Sequence, residues 1–245
     1  MLKRIVNTLR SLLFYAGYFV ATITISVICI LVFGFIPLKR RFFIYAAWCR
    51  FVQWWLRLVC GVRYDIQGAE HIPKDTPVVV LSTHQSAWET IFLYDAVLPV
   101  CPILKKELLN IPFWGWAMRL QKPIAIDRSK PREAGRSLLR QGTQRLTDGL
   151  NIVIFPEGSR SPAGEVKALS RGGAKLAVAA KVPVLPVIHN AGDCWPAHTL
   201  IKHPGVIRLR FGPLIPTSEK SANEVSDAYA AWVAENMDII HGTPQ

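Results

Sequence analysis

From Leu12 to Ile36 the chain runs through Leu, Ile, Val, Phe and Ala without a charged side chain, and this run limits the fold more than any other feature of its 245 residues. About 20 apolar residues suffice to cross a bilayer. A cleaved leader has an apolar core of only about 7–15 residues and then small residues, whereas Lys39-Arg40-Arg41 follows here. The run therefore predicts a retained membrane helix over about residues 11–37. Charge points to the same partner. Lys3, Arg4, Arg10, Lys39, Arg40, Arg41, Arg50 and Arg57 precede the first acidic residue, Asp65, so eight of the twelve net positive charges lie in residues 1–60. Basic charge interleaved with apolar sequence suits a membrane surface and argues against a nucleic-acid partner. Because both flanks are basic, the positive-inside rule assigns no orientation, and a segment that enters and returns on one side satisfies both.

The next segment is aromatic: Phe42, Phe43, Tyr45, Trp48, Phe51, Trp54 and Trp55, with Arg50, Gln53 and Arg57 at helical spacing on one face. It predicts an interfacial helix over about residues 41–60; the alternative is a domain helix that packs its aromatic face on a core. The five cysteines are scattered and include no C-x-x-C pair. That argues against a disulfide framework or a zinc site and fits a reducing cytosolic face.

Beyond residue 60, short apolar runs alternate with amphipathic stretches, the pattern of an α/β domain over residues 61–245. The expected architecture is a mixed, largely parallel sheet flanked by helices, behind an N-terminal hydrophobic helical anchor. Val78–Leu81, Ile124–Ile126, Ile152–Phe155, Val184–Val187 and Val206–Phe211 read as strands. Trp88–Val97, Pro131–Leu146, Gly173–Ala180 and Asn223–Met237 read as helices, and residues 239–245 as a frayed tail. Polar clusters follow three of these strands: His84, Asp127-Arg128, and Glu157-Gly158-Ser159-Arg160. Ligands of open α/β sheets bind outside the carboxyl ends of strands, so the three are expected to line one cleft.

His84 and Glu89 are five positions apart, which on one straight helix places them about 140° apart. They meet only if His84 sits in the loop after the strand and Glu89 in the first turn of the helix. Ser86-Ala87-Trp88-Glu89 matches the S-x-x-E capping box; it supports that placement and also offers a plain capping role for Glu89. Asp127 is placed to brace Arg128, whose planar fork suits a phosphate, although a solvated pair at a strand end is the commoner meaning. Glu157-Gly158-Ser159-Arg160-Ser161 sets a carboxylate and a guanidinium around a glycine turn with two hydroxyls. Such a loop offers Glu157 to a glycerol hydroxyl and Arg160 to a phosphate. Arg171-Gly172-Gly173 opens a helix whose free N–H groups suit an anion.

Four ordered blocks resemble the glycerolipid acyltransferases, most closely the bacterial 1-acylglycerol-3-phosphate acyltransferases. They are His84-Gln85-Ser86-Ala87-Trp88-Glu89, Ile126-Asp127-Arg128, Phe155-Pro156-Glu157-Gly158-Ser159-Arg160 and Val182-Pro183-Val184-Leu185-Pro186-Val187. The chain departs from the usual pattern by carrying Glu89 in place of Asp and Ser159 in place of Thr. The resemblance implies that residues 61–245 form an acyltransferase domain that moves an acyl chain from acyl-CoA or acyl-carrier protein to lysophosphatidic acid. It implies His84 as general base and Glu89 as its support, Arg128 and Arg160 on the phosphate, Glu157 on the glycerol, and Lys105 and Arg171 as further phosphate ligands. These roles require no metal and no cofactor beyond the acyl donor. The implied location is a bacterial inner membrane with the catalytic domain facing the cytoplasm. Rival readings are an acyltransferase for another acceptor (a lysophospholipid, lyso-ornithine lipid or lipid A precursor), a non-catalytic membrane-surface protein that binds anionic lipid, and a lipid phosphatase or esterase.

Overall fold

The computed structural model describes residues 1–127 and 129–241, with the backbone alone at His241. Its elements are α1 (Leu2–Val32), α2 (Leu38–Cys60), β1 (Val62–Gln67), β2 (Val79–Ser82), α3 (Trp88–Ala96), β3 (Val100–Cys101), β4 (Ile103–Lys105), α4 (Trp114–Arg119), β5 (Ile124–Ile126), α5 (Pro131–Thr147), β6 (Asn151–Ile154), α6 (Gly172–Ala180), β7 (Val184–His189), α7 (Ala191–Cys194), β8 (Gly205–Phe211), α8 (Ala222–Glu235) and α9 (Asp238–His241). The five strands read from sequence form with ends shifted by a residue or two. β1, β3 and β4 were not read, since two are only two or three residues long and β1 leaves alternate side chains open to solvent.

One six-stranded sheet runs β1-β8-β7-β2-β6-β3, parallel throughout except at β7–β8. β5 pairs only with β4, in a separate two-stranded parallel ribbon. The central strands are buried on both faces, which explains their continuous apolar runs. Val78 and Val80 face a core shared with α1, α2 and α3, while Val79 and Leu81 face one shared with α5, α6, α8 and α9. Asn151 stitches neighbouring segments, its Oδ1 accepting the Val78 N–H and its Nδ2 donating to Val97 O, both at 2.8 Å. In place of the frayed tail, α9 buries Ile239 and Ile240 in the second core; residues 242–245 lie outside the described residues.

α1 and α2 form an antiparallel hairpin, the Trp48 Nε1–H donating to Thr22 Oγ1 and the Trp55 Nε1–H to Phe14 O, each at 3.1 Å. Gly17 permits the close approach, since a Cβ there would fall on the Trp55 indole. The hairpin touches the α/β domain at two places. About a third of the way along α1, Phe14 packs edge-on to Trp195 at 5.1 Å and Ser11 Oγ accepts the Lys202 N–H at 2.8 Å. At the far end Cys29 and Phe33 pack with Ala117 of α4. α2 is chiefly a domain helix: Phe42, Trp48, Cys49, Val52 and Leu56 are buried, and only Phe43, Trp54 and Leu58 remain largely exposed on an aromatic edge. The segment from Leu2 to Phe35 is long and apolar enough to cross a membrane, its most apolar 18-residue stretch having a mean hydropathy of 2.4. Leu12, Leu13, Phe19, Val20, Ile23 and Leu31 face outward. All five cysteines are free and buried.

Candidate active site

β2, β6 and β7 are mutually parallel, so their carboxyl ends deliver His84, Glu157 and His189 to one edge of the sheet. His84 leaves β2 in an irregular loop and Glu89 lies in the first turn of α3. Glu89 is fully buried and its Oε1 accepts three bonds: His84 Nδ1–H at 2.8 Å, Gln85 N–H at 2.9 Å and Ser86 N–H at 2.7 Å. A carboxylate only accepts, so His84 carries a proton on Nδ1, and Nε2 takes no part in this bond. Burial alone would raise the Glu89 carboxyl. The His189 ring behind it, and His84 and the Ser86 N–H in front, outweigh burial and hold it below the ordinary carboxylate range.

The reciprocal capping box expected at Ser86 is only half made. The Ser86 N–H reaches Glu89, but Ser86 Oγ accepts from Trp88 N–H at 3.1 Å, and the helix starts at Trp88. Glu89 serves the histidine instead of completing the cap.

The rest of His84 is fixed by the loop after β6. Its N–H donates to Glu157 Oε1 at 2.7 Å, its carbonyl accepts the Ser161 N–H at 2.7 Å, and its ring stacks on Phe155 with centroids 4.1 Å apart. Gly158 makes the turn possible with φ +71°. Glu157 is buried, and its Oε2 accepts from the Ser161 hydroxyl and from the Lys167 N–H at 3.3 Å. Both oxygens of Glu157 thus accept bonds from the loop, and it braces His84 in addition to the glycerol contact expected of it. Lys167, missed in the sequence because nothing local marks it, caps the turn by donating from Nζ to Arg160 O at 2.7 Å and Ser159 Oγ at 3.1 Å.

Arg160 lies half-buried close enough to α1 for its charge to bear on Tyr15 and Tyr18, and its Nε has no hydrogen-bond partner among the described residues. Ser159 and Gly158 are exposed beside it; Arg171 at the start of α6 and Lys105 at the end of β4 are exposed as well. Arg128 lies outside the described residues. Asp127 accepts from Ser129 N–H at 2.9 Å and Ser129 Oγ–H at 2.6 Å. The three-cluster cleft is thus realised for the first and third clusters, whereas Asp127 belongs to the separate β4–β5 ribbon.

An imidazole backed by a buried carboxylate, with one ring nitrogen open and a guanidinium nearby, defines a base-assisted transfer site for an anionic acceptor. Ser86, two positions after His84, is buried and engaged with Trp88, so it is not placed as a covalent nucleophile. The family model described as Acyltransferase matches residues 63–190, and the chain belongs to that family. It is 42% identical over 236 residues, 95% of this chain and 91% of its relative, to the 1-acyl-sn-glycerol-3-phosphate acyltransferase of Pseudomonas aeruginosa. It is 30% identical over 172 residues, 69% of this chain and 61% of the other, to human 1-acyl-sn-glycerol-3-phosphate acyltransferase alpha. The fold superposes on the crystal structure of the 1-acyl-sn-glycerophosphate (LPA) acyltransferase PlsC from Thermotoga maritima with a TM-score of 0.84, covering 99% of both chains at 24% identity.

Proposed function

We propose that this enzyme transfers an acyl chain from a thioester, acyl-CoA or acyl-carrier protein, to the sn-2 hydroxyl of 1-acyl-sn-glycerol 3-phosphate, making phosphatidic acid. The observation that carries this reading is the hold on His84: N–H, carbonyl, Nδ1 and ring face are all engaged, and Nε2 is left for chemistry. Nε2 takes the proton of the acceptor hydroxyl as its oxygen attacks the thioester carbonyl. Glu89 stabilises the imidazolium that forms. The tetrahedral intermediate collapses by breaking the C–S bond, and the leaving thiolate takes the proton from Nε2. Arg160 is placed for the acceptor phosphate, with Lys105, Arg128 and Arg171 as further cations for it.

The hairpin supports a membrane-attached enzyme that draws its acceptor from the bilayer. Because α1 meets the domain at Ser11 and Phe14 and again at Cys29, the stretch between them lies along the domain instead of standing away from it. That geometry suits insertion into one leaflet, and in a bacterial cell the cytoplasmic leaflet of the inner membrane is where both donors occur. An apolar recess of about 310 Å³ between α1 and residues 108–114 would take a methylene chain, lined by Tyr18, Phe19, Ile23, Leu108, Phe113 and Trp114. The test uses the full chain in mixed micelles with lysophosphatidic acid and each donor. Phosphatidic acid should accumulate with wild type and fall to background with His84→Ala. Turnover of another lyso-lipid but not lysophosphatidic acid would overturn the acceptor, and undiminished activity of His84→Ala the site.

A further inference from the structure

Glu89 uses only one of its oxygens. Oε2 is buried and finds no hydrogen-bond partner among the described residues, an arrangement that costs free energy in a protein interior. The nearest polar group behind it is His189, the last residue of β7, whose Nε2 lies 4.0 Å away. His189 is itself fully buried, and nothing in the mechanism above employs it.

The protonation of His189 follows from its neighbours. Ala191 N–H donates to Nδ1 at 3.2 Å, so Nδ1 carries no proton. The proton is on Nε2, which donates to the carbonyl of Thr83 at 2.9 Å. Burial pushes His189 down in pKa, with the Glu89 carboxylate opposing, and the ring stays neutral. One N–H thus fixes the carbonyl immediately before His84, from a nitrogen that lies 4.0 Å from Glu89 Oε2. Thr83 is held from its other side by its own N–H, which donates to Val187 O at 3.2 Å. Trp88 lies edge-on to His189 with centroids 6.5 Å apart.

We infer that His189 is a positioning residue for the His84–Glu89 pair, holding through the Thr83 carbonyl the loop that carries the base and standing 4.0 Å behind the unbonded oxygen of the carboxylate. The inference rests on the acyl-transfer reading of that pair. It ties Glu89 to β7 as well as to the β2 loop, and it acts on the chemical step, not on acceptor binding. Loss of the N–H should leave Glu89 free to turn Oε2 toward other donors and slacken the bond to His84 Nδ1.

The experiment compares His189→Leu, which removes both ring nitrogens, with His189→Gln, whose amide presents an N–H near the Nε2 position, and with His84→Ala. All are purified as full-length protein in mixed micelles. Acyl transfer to lysophosphatidic acid is measured as kcat and KM, beside thermal melting and the low-field proton resonance of the His84 Nδ1–H, assigned by its loss in His84→Ala. The expected result is a fall in kcat of about 10- to 100-fold for His189→Leu, the scale of a misplaced catalytic group, with KM little changed, and recovery of most of that loss in His189→Gln. The low-field resonance should shift in His189→Leu and return toward its wild-type position in His189→Gln. A folded His189→Leu with wild-type kcat overturns the inference, as does a His189→Gln no faster than His189→Leu at equal stability. If His189→Leu does not fold, His189→Met takes its place with the same readouts, and a folded His189→Met with wild-type kcat and an unshifted resonance overturns the inference. Undiminished activity of His84→Ala would instead sink the acyl-transfer reading, whereas an inactive His84→Ala beside a wild-type His189→Leu sinks only the role of His189.

Discussion

Shortening Glu89 by one methylene tests how the site depends on the reach of its carboxylate. In Glu89→Asp the carboxylate withdraws by about 1.5 Å, one carbon–carbon bond. The bond from His84 Nδ1 starts at 2.8 Å, so it stretches to about 4 Å, outside hydrogen-bonding range, unless the loop follows. The loop is not free to follow, because Glu157 and Ser161 hold the His84 backbone from the other side. A hydrogen bond to a charged group is worth about 1.5–3 kcal/mol. Lost from the imidazolium at the transition state, it lowers kcat by about 10- to 100-fold. KM for lysophosphatidic acid should stay near wild type, since Glu89 is fully buried and does not touch the acceptor. The vacated methylene should cost about 1 kcal/mol of stability. Glu89→Gln keeps the length but not the charge and should fall further, by about 10³–10⁴ in kcat. The assay is initial-rate acyl transfer in mixed micelles over a range of acceptor, with melting measured on the same samples. A kcat for Glu89→Asp within twofold of wild type would refute the argument that the longer arm is matched to this loop.

Glu157→Gln should slow turnover about tenfold and lower the melting midpoint by several degrees, at about 2–4 °C per kcal/mol. Its amide must set an NH₂ against either the His84 N–H or the Lys167 N–H, both of which now donate to it; wild-type melting would show that the brace is idle. Gly17→Val should separate α1 from α2, because its side chain displaces the Trp55 indole; faster limited proteolysis between residues 33 and 40 and a lower melting midpoint are expected, and unchanged values would count against tight packing. Lys202 is buried with Nζ bonded to Tyr15 OH at 2.7 Å and Leu200 O at 3.0 Å, and burial draws its ammonium from 10.5 down to about 8. Between those two values the unfolded chain binds more protons than the folded one, so this residue makes stability rise with pH from about 8 toward 10.5 and leaves it unchanged below about 8, where both states are protonated. Lys202→Met should remove that component, up to about 3 kcal/mol, and a wild-type-minus-variant melting difference that is flat over this range would contradict it.

The sequence placed His84 in a loop and Glu89 in a first helical turn because only that arrangement lets the two meet. The S-x-x-E pattern that supported the placement also misled. A motif says which bonds are available, not which are taken, and here the carboxylate is drawn to the histidine. The same pattern at Ser221-Ala222-Asn223-Glu224 has no competing partner and closes fully, with bonds of 2.8 and 3.3 Å. Glu157 was read as a substrate ligand because its neighbours in sequence are polar; its brace on His84 was not read, because the groups that bond it, His84 N–H and Lys167 N–H, come from 73 positions before it and 10 after. His189 escaped notice for the strongest version of this reason. It ends a wholly buried strand, and in the sequence it reads as the polar stop of an apolar run. Its meaning arises only when β7 is laid parallel to β2, with Ser82 opposite Val187, which carries its ring behind the carboxylate of Glu89. Local pattern therefore reached the residues that project into the cleft. Those that hold them from behind depend on strand register, which an unaligned sequence does not encode locally.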